Sequence, residues 1–286
     1  MLKLGRREFD DTALLVMAII NRTPDSFYDK GATFAFDVAM RRVRDVVADG
    51  ADIVDIGGVK AAPGVVVTVE EELDRIASFV LAVRDEFPDL VISVDTWRHE
   101  IGEAACQAGA DILNDAWGGW DPELAGVAAR HKAALVCTHA GGVEPRTRPH
   151  RIGYADVMAD VLARTVGEAE RAATLGVDRR SILIDPGHDF GKNTRHSLDV
   201  TRRLSVMVAT GWPVLVSLSN KDFIGETLNR PVGERLIGTL AATSVSAWLG
   251  ARVFRAHNVA ETRQTLDLVA TIMGSRPPAR TVRGLA

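Results

Sequence analysis

The sequence predicts a single α/β domain of the (β/α)8, or TIM-barrel, class, and three observations carry that prediction. Eight short apolar runs of strand length recur along the 286 residues. Each run is followed by a longer stretch with helical periodicity, the pattern of a parallel sheet wrapped by helices. Several of these stretches end in the glycine that a helix C-terminus favours: Gly50, Gly109, Gly176 and Gly250. A doubly wound open sheet is the alternative reading of the same alternation; eight units in a chain of this length favour the closed barrel.

In chain order the predicted strands are LLVMAII (14–20), ADIVDIG (51–57), LVISVDT (90–96), DILND (111–115), AALVCTH (133–139), SILID (181–185), PVLVSLS (213–219) and ARVFRAH (251–257). Alanine-rich and charged stretches such as FDVAMRRVRDVVADG (36–50) and ADVMADVLARTVGEAERAATLG (155–176) supply the helices between them. The barrel is expected to span residues 1–274, and the proline- and arginine-bearing end, 275–286, to form an irregular tail. A composition of 47% hydrophobic and 25% charged residues supports one large core.

The net charge of −4 gives no bulk electrostatic reason to bind nucleic acid or a membrane surface, which points to a small ligand. No apolar run reaches the roughly 18 residues of a membrane span, and the start MLKLGRREFDD is too polar for a secretory signal, so a cytoplasmic protein is expected. Cys106 and Cys137 lie in apolar contexts without CxxC spacing and are expected to be buried, reduced thiols.

Read to its C-terminal end, every predicted strand finishes in a group with chemistry: Asn21, Asp55, Asp95, Asn114 with Asp115, His139, Asp185, Ser219 with Lys221, and Arg255 with His257. In a barrel such ends converge on one mouth, where barrel enzymes keep their sites. Any one of them alone reads as a capping or turn residue. Asp95, Asn114 and Asp185 suit a flat heterocycle with several N–H groups, because a carboxylate takes paired ring donors and an amide reads a mixed edge. A protein-only divalent metal site would want more carboxylates or histidines in register. Asn21, Arg255 and His257, from the first and last strands, read as an anion grip in which Asn21 can hold phosphate or a phosphate-bound Mg2+. Lys221 is placed to bridge Asp185 and a ring carbonyl, balancing charge in an apolar barrel.

MAIINRTPDSFYDKG (17–31) resembles the first signature of the dihydropteroate synthase family, and GADIVDIGGVKAAPG (50–64) resembles the second. ISVDTWR, GADILNDAWGG, LIDPGHDFGKN, VSLSNKDFIGETL and FRAHNV then follow in the family's order. The resemblance implies a barrel that joins 6-hydroxymethyl-7,8-dihydropterin pyrophosphate to p-aminobenzoate with release of pyrophosphate, working as a homodimer through its late helices. It implies that Asp95, Asn114, Asp185 and Lys221 hold the pterin, with Asp95, Asp185 and Lys221 catalytic, and that Asn21, Arg255 and His257 hold the pyrophosphate with Mg2+. The expected mechanism is largely dissociative: the anion grip stabilises the departing pyrophosphate and a neutral aromatic amine attacks. The loops at about 21–33 and 57–68 are expected to close over the substrates.

The chain departs from the family where the amine acceptor is expected. Ordinary members read Glu-Ser-Thr-Arg-Pro-Gly after the second strand; here stand Val59, Lys60, Ala61, Ala62, Pro63 and Gly64. The family's Ser-Arg-Lys-Ser becomes Ser219, Asn220, Lys221 and Asp222, which sets a carboxylate where the acceptor's own carboxylate would sit. His188, Asp189 and Phe190 form a further altered stretch. This pattern resembles the divergent second copy of the synthase found in mycobacteria and related actinobacteria. Two functions follow as expectations: a transferase with a weakened acceptor site or a different amine, or a catalytically silent barrel that binds pterin or sulfone ligands. A methyltransferase of the wider pterin-binding superfamily is a third reading, disfavoured because it has no use for the anion grip.

Overall fold

The computed structural model describes residues 1–23, 35–147 and 153–283. Eight parallel strands form the barrel: β3 (Leu15–Asn21), β4 (Ile53–Gly57), β5 (Val91–Asp95), β6 (Ile112–Asp115), β7 (Ala134–Thr138), β8 (Ile182–Asp185), β9 (Leu215–Ser217) and β10 (Val253–Ala256). Neighbours in sequence pair in space, and β10 returns to pair with β3. The ring closes between β8 and β9 through a bridge from Ile184 to Val214, with the Ile184 amide donating to Pro213 at 2.9 Å. Each predicted strand is present, trimmed by a residue or more at one or both ends in all but the first, which shifts forward by one.

The wrapping helices are α1 (Phe36–Ala48), α2 (Val69–Glu86), α3 (His99–Gln107), α4 (Leu124–His131), α5 (Val157–Thr174), α6 (Thr194–Arg202), α7 (Leu204–Val208), α8 (Asp222–Leu228), α9 (Leu236–Trp248) and α10 (Val259–Ile272). The four glycines read as stop signals follow α1, α3, α5 and α9 with φ between +93° and +106°, a conformation that a Cβ disfavours. α2 starts at a reciprocal cap: the Glu71 amide donates to the Thr68 hydroxyl, and the Thr68 amide donates to the Glu71 carboxylate. Past α10, residues 275–283 are exposed and carry no regular element.

Strand parity divides the core into two layers. Val16, Val54, Ile92, Leu113, Leu135 and Ile184 face the helices. Leu15, Met17, Ile53, Val91, Ile112, Val136, Leu183, Leu215 and Val253 fill the barrel interior. The interior layer is completed by Leu2, Leu4 and Phe9, from an antiparallel hairpin of β1 (Leu2–Leu4) and β2 (Arg7–Phe9) that the sequence reading did not foresee. Its strands are three residues long, below the length at which alternation is visible in a sequence. Cys137 is buried on the helix-facing side, and Cys106 is partly buried with its thiol pushed up to about 12 by burial, as inert thiols should be.

Candidate functional site

Continuing the interior parity toward the C-terminal ends of the strands replaces apolar residues by polar ones. Asn21, Asp55, Ser93, Asp95, Asn114, Thr138, Asp185, Ser217, Ser219, Arg255 and His257 all fall on the inward phase. Above them opens a cavity of about 640 Å³ whose wall includes Asn21, Asp95, Asn114, Thr138, Asp185, Ser219, Lys221, Arg255 and His257. Asp55, Asp115 and His139, also read as strand-end groups, do not line it. Asp115 falls on the opposite phase and accepts from the Trp117 and Gly119 amides, at 2.9 and 2.7 Å.

Asp55 is fully buried outside the cavity wall, and its carboxylate joins Asn114 and Arg255, which line that wall. It accepts from the Ser93 hydroxyl at 2.6 Å, the Asn114 amide at 3.2 Å and the Arg255 Nε at 2.6 Å. Arg255 Nη2 donates to Asp95 at 2.9 Å, so one guanidinium ties β4 to β5 from β10. Arg255, expected in the anion grip with Asn21 and His257, thus pairs with Asp95 of the expected heterocycle group and with Asp55. Burial works against the Arg255 charge, yet Asp55 and Asp95 outweigh it and hold the guanidinium above its ordinary pKa. Burial pushes Asp95 up to about 7, Arg255 opposing the shift and Asp55 adding to it.

Asp185 accepts from the Gly187 amide at 2.7 Å, and burial raises its pKa against the opposing charge of Lys221. The Lys221 ammonium donates to the His188 carbonyl and stands 4.9 Å from the centre of the Phe190 ring. His257 Nδ1 lies 3.0 Å from the Ser219 hydroxyl.

Several residues of the expected acceptor side share the cavity wall. Val59, Lys60, Ala61 and Ala62 line the cavity, with Asp189, Phe190, Asn220 and Asp222 across from the strand ends. Pro63 and His188 are not in that wall. The His188 side chain is fully buried, stacks on Phe223 at 5.4 Å, lies 2.9 Å from the Thr201 hydroxyl, and is held neutral by burial. Asp222 is less repulsive than its sequence position implies, because Arg235 Nη1 pairs with it at 2.9 Å. Trp117 completes the apolar side of the mouth, edge-on to Phe190 at 5.1 Å. Most of the first expected closing loop, residues 24–34, lies outside the described residues.

The sequence reading missed two groups, Lys192, which lines the cavity, and Glu72, which does not. Lys192 Nζ lies 2.5 Å from His139 Nδ1 and donates to the carbonyls of His139, Gly187 and Phe190, fastening the loops after β7 and β8 to each other. Glu72, fully buried on α2, accepts from the Thr96 hydroxyl at 2.9 Å and from Arg98 at 2.7 Å. Glu72 stands in an acidic first turn that reads as dipole compensation, and Lys192 stands in a loop, so neither carries a periodic signal. Among the described residues, the one grouping with metal-ligand proximity is His99, Glu100 and Asp121, which is outside the cavity wall. A second groove, of about 620 Å³ on the outer face of α1 and α2, contains none of the predicted residues.

The family described as pterin binding enzyme matches residues 17–257. The inactive dihydropteroate synthase 2 of Mycobacterium tuberculosis is 55% identical over 286 residues, covering 99% of this chain and 90% of that protein. The dihydropteroate synthase of Bacillus subtilis is 37% identical over 247 residues, 86% of this chain and 84% of its own. The Yersinia pestis dihydropteroate synthase, solved in complex with a sulfonamide drug, superposes with a TM-score of 0.90 at 32% identity, covering 96% of this chain and 99% of that one. The chain belongs to the pterin binding enzyme family and is a homologue of dihydropteroate synthase.

Proposed function

We propose that this chain is a pterin-binding barrel of the synthase lineage that has lost condensation with p-aminobenzoate. One observation carries the reading: the cavity wall at the mouth includes Ala61 and Ala62, whose side chains can donate nothing to a pyrophosphate or to a carboxylate, and Asp222 lines the same mouth. A charge-assisted donor missing near developing charge costs on the order of 3 kcal/mol, or about a hundredfold in rate. The 55% identity to an inactive second synthase supports the same conclusion.

In this reading Asp95, Asn114, Asp185 and Lys221 hold the pterin, and Asn21 and His257 face its pyrophosphate with Arg255 between the two. Mg2+ fits only as an ion carried by the pyrophosphate. Asn21 offers a single neutral oxygen, and Asp95 is already engaged by Arg255, so an ion there would keep mostly water and phosphate ligands. When bound, that ion would supply charge stabilisation to the leaving pyrophosphate. The expected homodimer is supported by the outer faces of α9 and α10, where Ile237, Val245, Trp248, Leu268 and Ile272 are at least half exposed. No described helix is long and apolar enough to cross a membrane, and the free thiols suit a reducing cytoplasm.

The test is calorimetry with 6-hydroxymethyl-7,8-dihydropterin pyrophosphate, run beside a pyrophosphate-release assay with p-aminobenzoate. Binding without release above background is the expected result. Turnover at synthase rates, or folded protein with no affinity for the pterin, overturns it. A triple variant, Ala61→Thr, Ala62→Arg and Asp222→Ser, should raise release if the mouth is the defect.

A further inference from the structure

The segment between β4 and α2 is held through its backbone. Arg75 Nη1 donates to the Gly58 carbonyl at 2.8 Å, and Arg98 Nη2 donates to the Val67 carbonyl at 2.8 Å. Both arginines come from neighbouring elements and anchor the two ends of the segment. The middle is held differently. Arg146, from the loop after β7 and more than 80 residues further along the chain, donates from Nη1 to the Val65 carbonyl at 2.7 Å and from Nε to the Ala62 carbonyl at 3.3 Å. Its neighbour Thr147 lines the same cavity as Lys60, Ala61 and Ala62, so the contact crosses the mouth.

Two local features fit this contact. Gly64 has no need of glycine's left-handed freedom, yet a Cβ there would stand 3.1 Å from Arg146 Nη2, so the missing side chain makes room for the guanidinium. Arg146 itself adopts φ +63°, unusual for a residue with a Cβ. From Ala61 to Gly64 the wall is alanine, proline and glycine, with little side-chain chemistry in that stretch. There the carbonyls of Ala62 and Val65 give the chain its points of attachment to Arg146.

We propose that Arg146 is a positioning residue, a latch across the mouth that holds the wall of residues 59–65 against the cavity, so that a ligand enters and leaves as the guanidinium releases those carbonyls. Only the ligand-exchange part of this inference rests on the pterin-binding reading above.

Hydrogen exchange read by mass spectrometry on the ligand-free full chain tests the latch directly. Arg146→Ala should speed amide exchange across 58–67 about tenfold while β4 and the core of α2 keep their protection, and Arg146→Lys should restore part of it. Gly64→Ala, which crowds the guanidinium from the other side, should speed the same segment. Stopped-flow fluorescence with 6-hydroxymethylpterin should show association and dissociation both faster by about tenfold in Arg146→Ala, with the affinity changed by less than about threefold. An arginine that only supports the fold would lower the melting temperature and leave the association rate alone. Unchanged exchange across 58–67 in both Arg146→Ala and Gly64→Ala overturns the inference. If the parent chain binds no pterin while the exchange responds as expected, the functional reading falls and the latch stands.

Discussion

At the floor of the cavity, side chains from four strands, Asp55, Asp95, Asn114 and Arg255, bond to one another inside the barrel. The wall at its mouth, residues 58–67, is held by arginines that bind its carbonyl oxygens. The floor draws its specificity from side-chain identity on rigid strands, so each residue there is constrained by its partners. The mouth takes its shape from backbone held in place, so its side chains can change while the wall stays where it is. Ala61 and Ala62, two of the departures read from the sequence, fall on this wall, whereas Asp95, Asn114 and Arg255 of the floor are residues that the family resemblance implies.

The comparison is most exposed at Arg255. Arg255→Met leaves Asp55 and Asp95 without their shared cation in the barrel interior, and denaturant unfolding should show a loss of about 3 kcal/mol or more. Adding Asp55→Leu should recover part of that loss, because the pair is coupled. A single-variant loss below about 1 kcal/mol would break the claim that the floor is interlocked.

A smaller effect lies in the pH dependence. Native Asp95 keeps its proton up to about 7, whereas an unfolded aspartate releases it near 3.9. Between those values the native state binds more protons, so stability should fall as pH rises from about 4 to about 7. Asp95→Asn should flatten that slope. A profile that rises over the same window in the parent chain would mean that Arg255 outweighs burial at Asp95.

The smallest effect is expected at the mouth, and it sharpens the contrast. Val66 is 78% exposed in the latched wall, and Val66→Ser should change unfolding free energy by less than about 0.5 kcal/mol, since the arginines hold carbonyls and not this side chain. A cost comparable to that at Arg255 would mean that the wall, too, is fixed by its side chains.

Hydrophobic periodicity, glycine stops and the polar groups at strand ends suffice to reach the barrel and most of the cavity lining. Those signals are local: alternation reports which residues are apolar on one phase, and a helix stop needs only a glycine in place. Asn21, Asp95, Asn114, Asp185, Lys221, Arg255 and His257 were therefore legible as residues gathered at one mouth. Their mutual bonding was not. A one-residue difference in strand phase turns Asp115 away from the cavity while Asn114 enters it, and only the closed ring brings Arg255 of the last strand onto Asp55 and Asp95.

Contacts between loops were equally beyond the sequence. Arg146 reads as one basic residue in a polar stretch, and Lys192 as one lysine after a glycine; neither has a period or a spacing that marks its partner. The sequence by itself determined the barrel, the apolar layers and the residue types at its mouth, because periodicity and turn chemistry act over a few neighbouring residues. Tertiary structure decided which carboxylates share a cation, which expected site residues are buried away from the cavity, and what holds the alanine wall, because those depend on groups far apart in the chain that meet only when the ring closes.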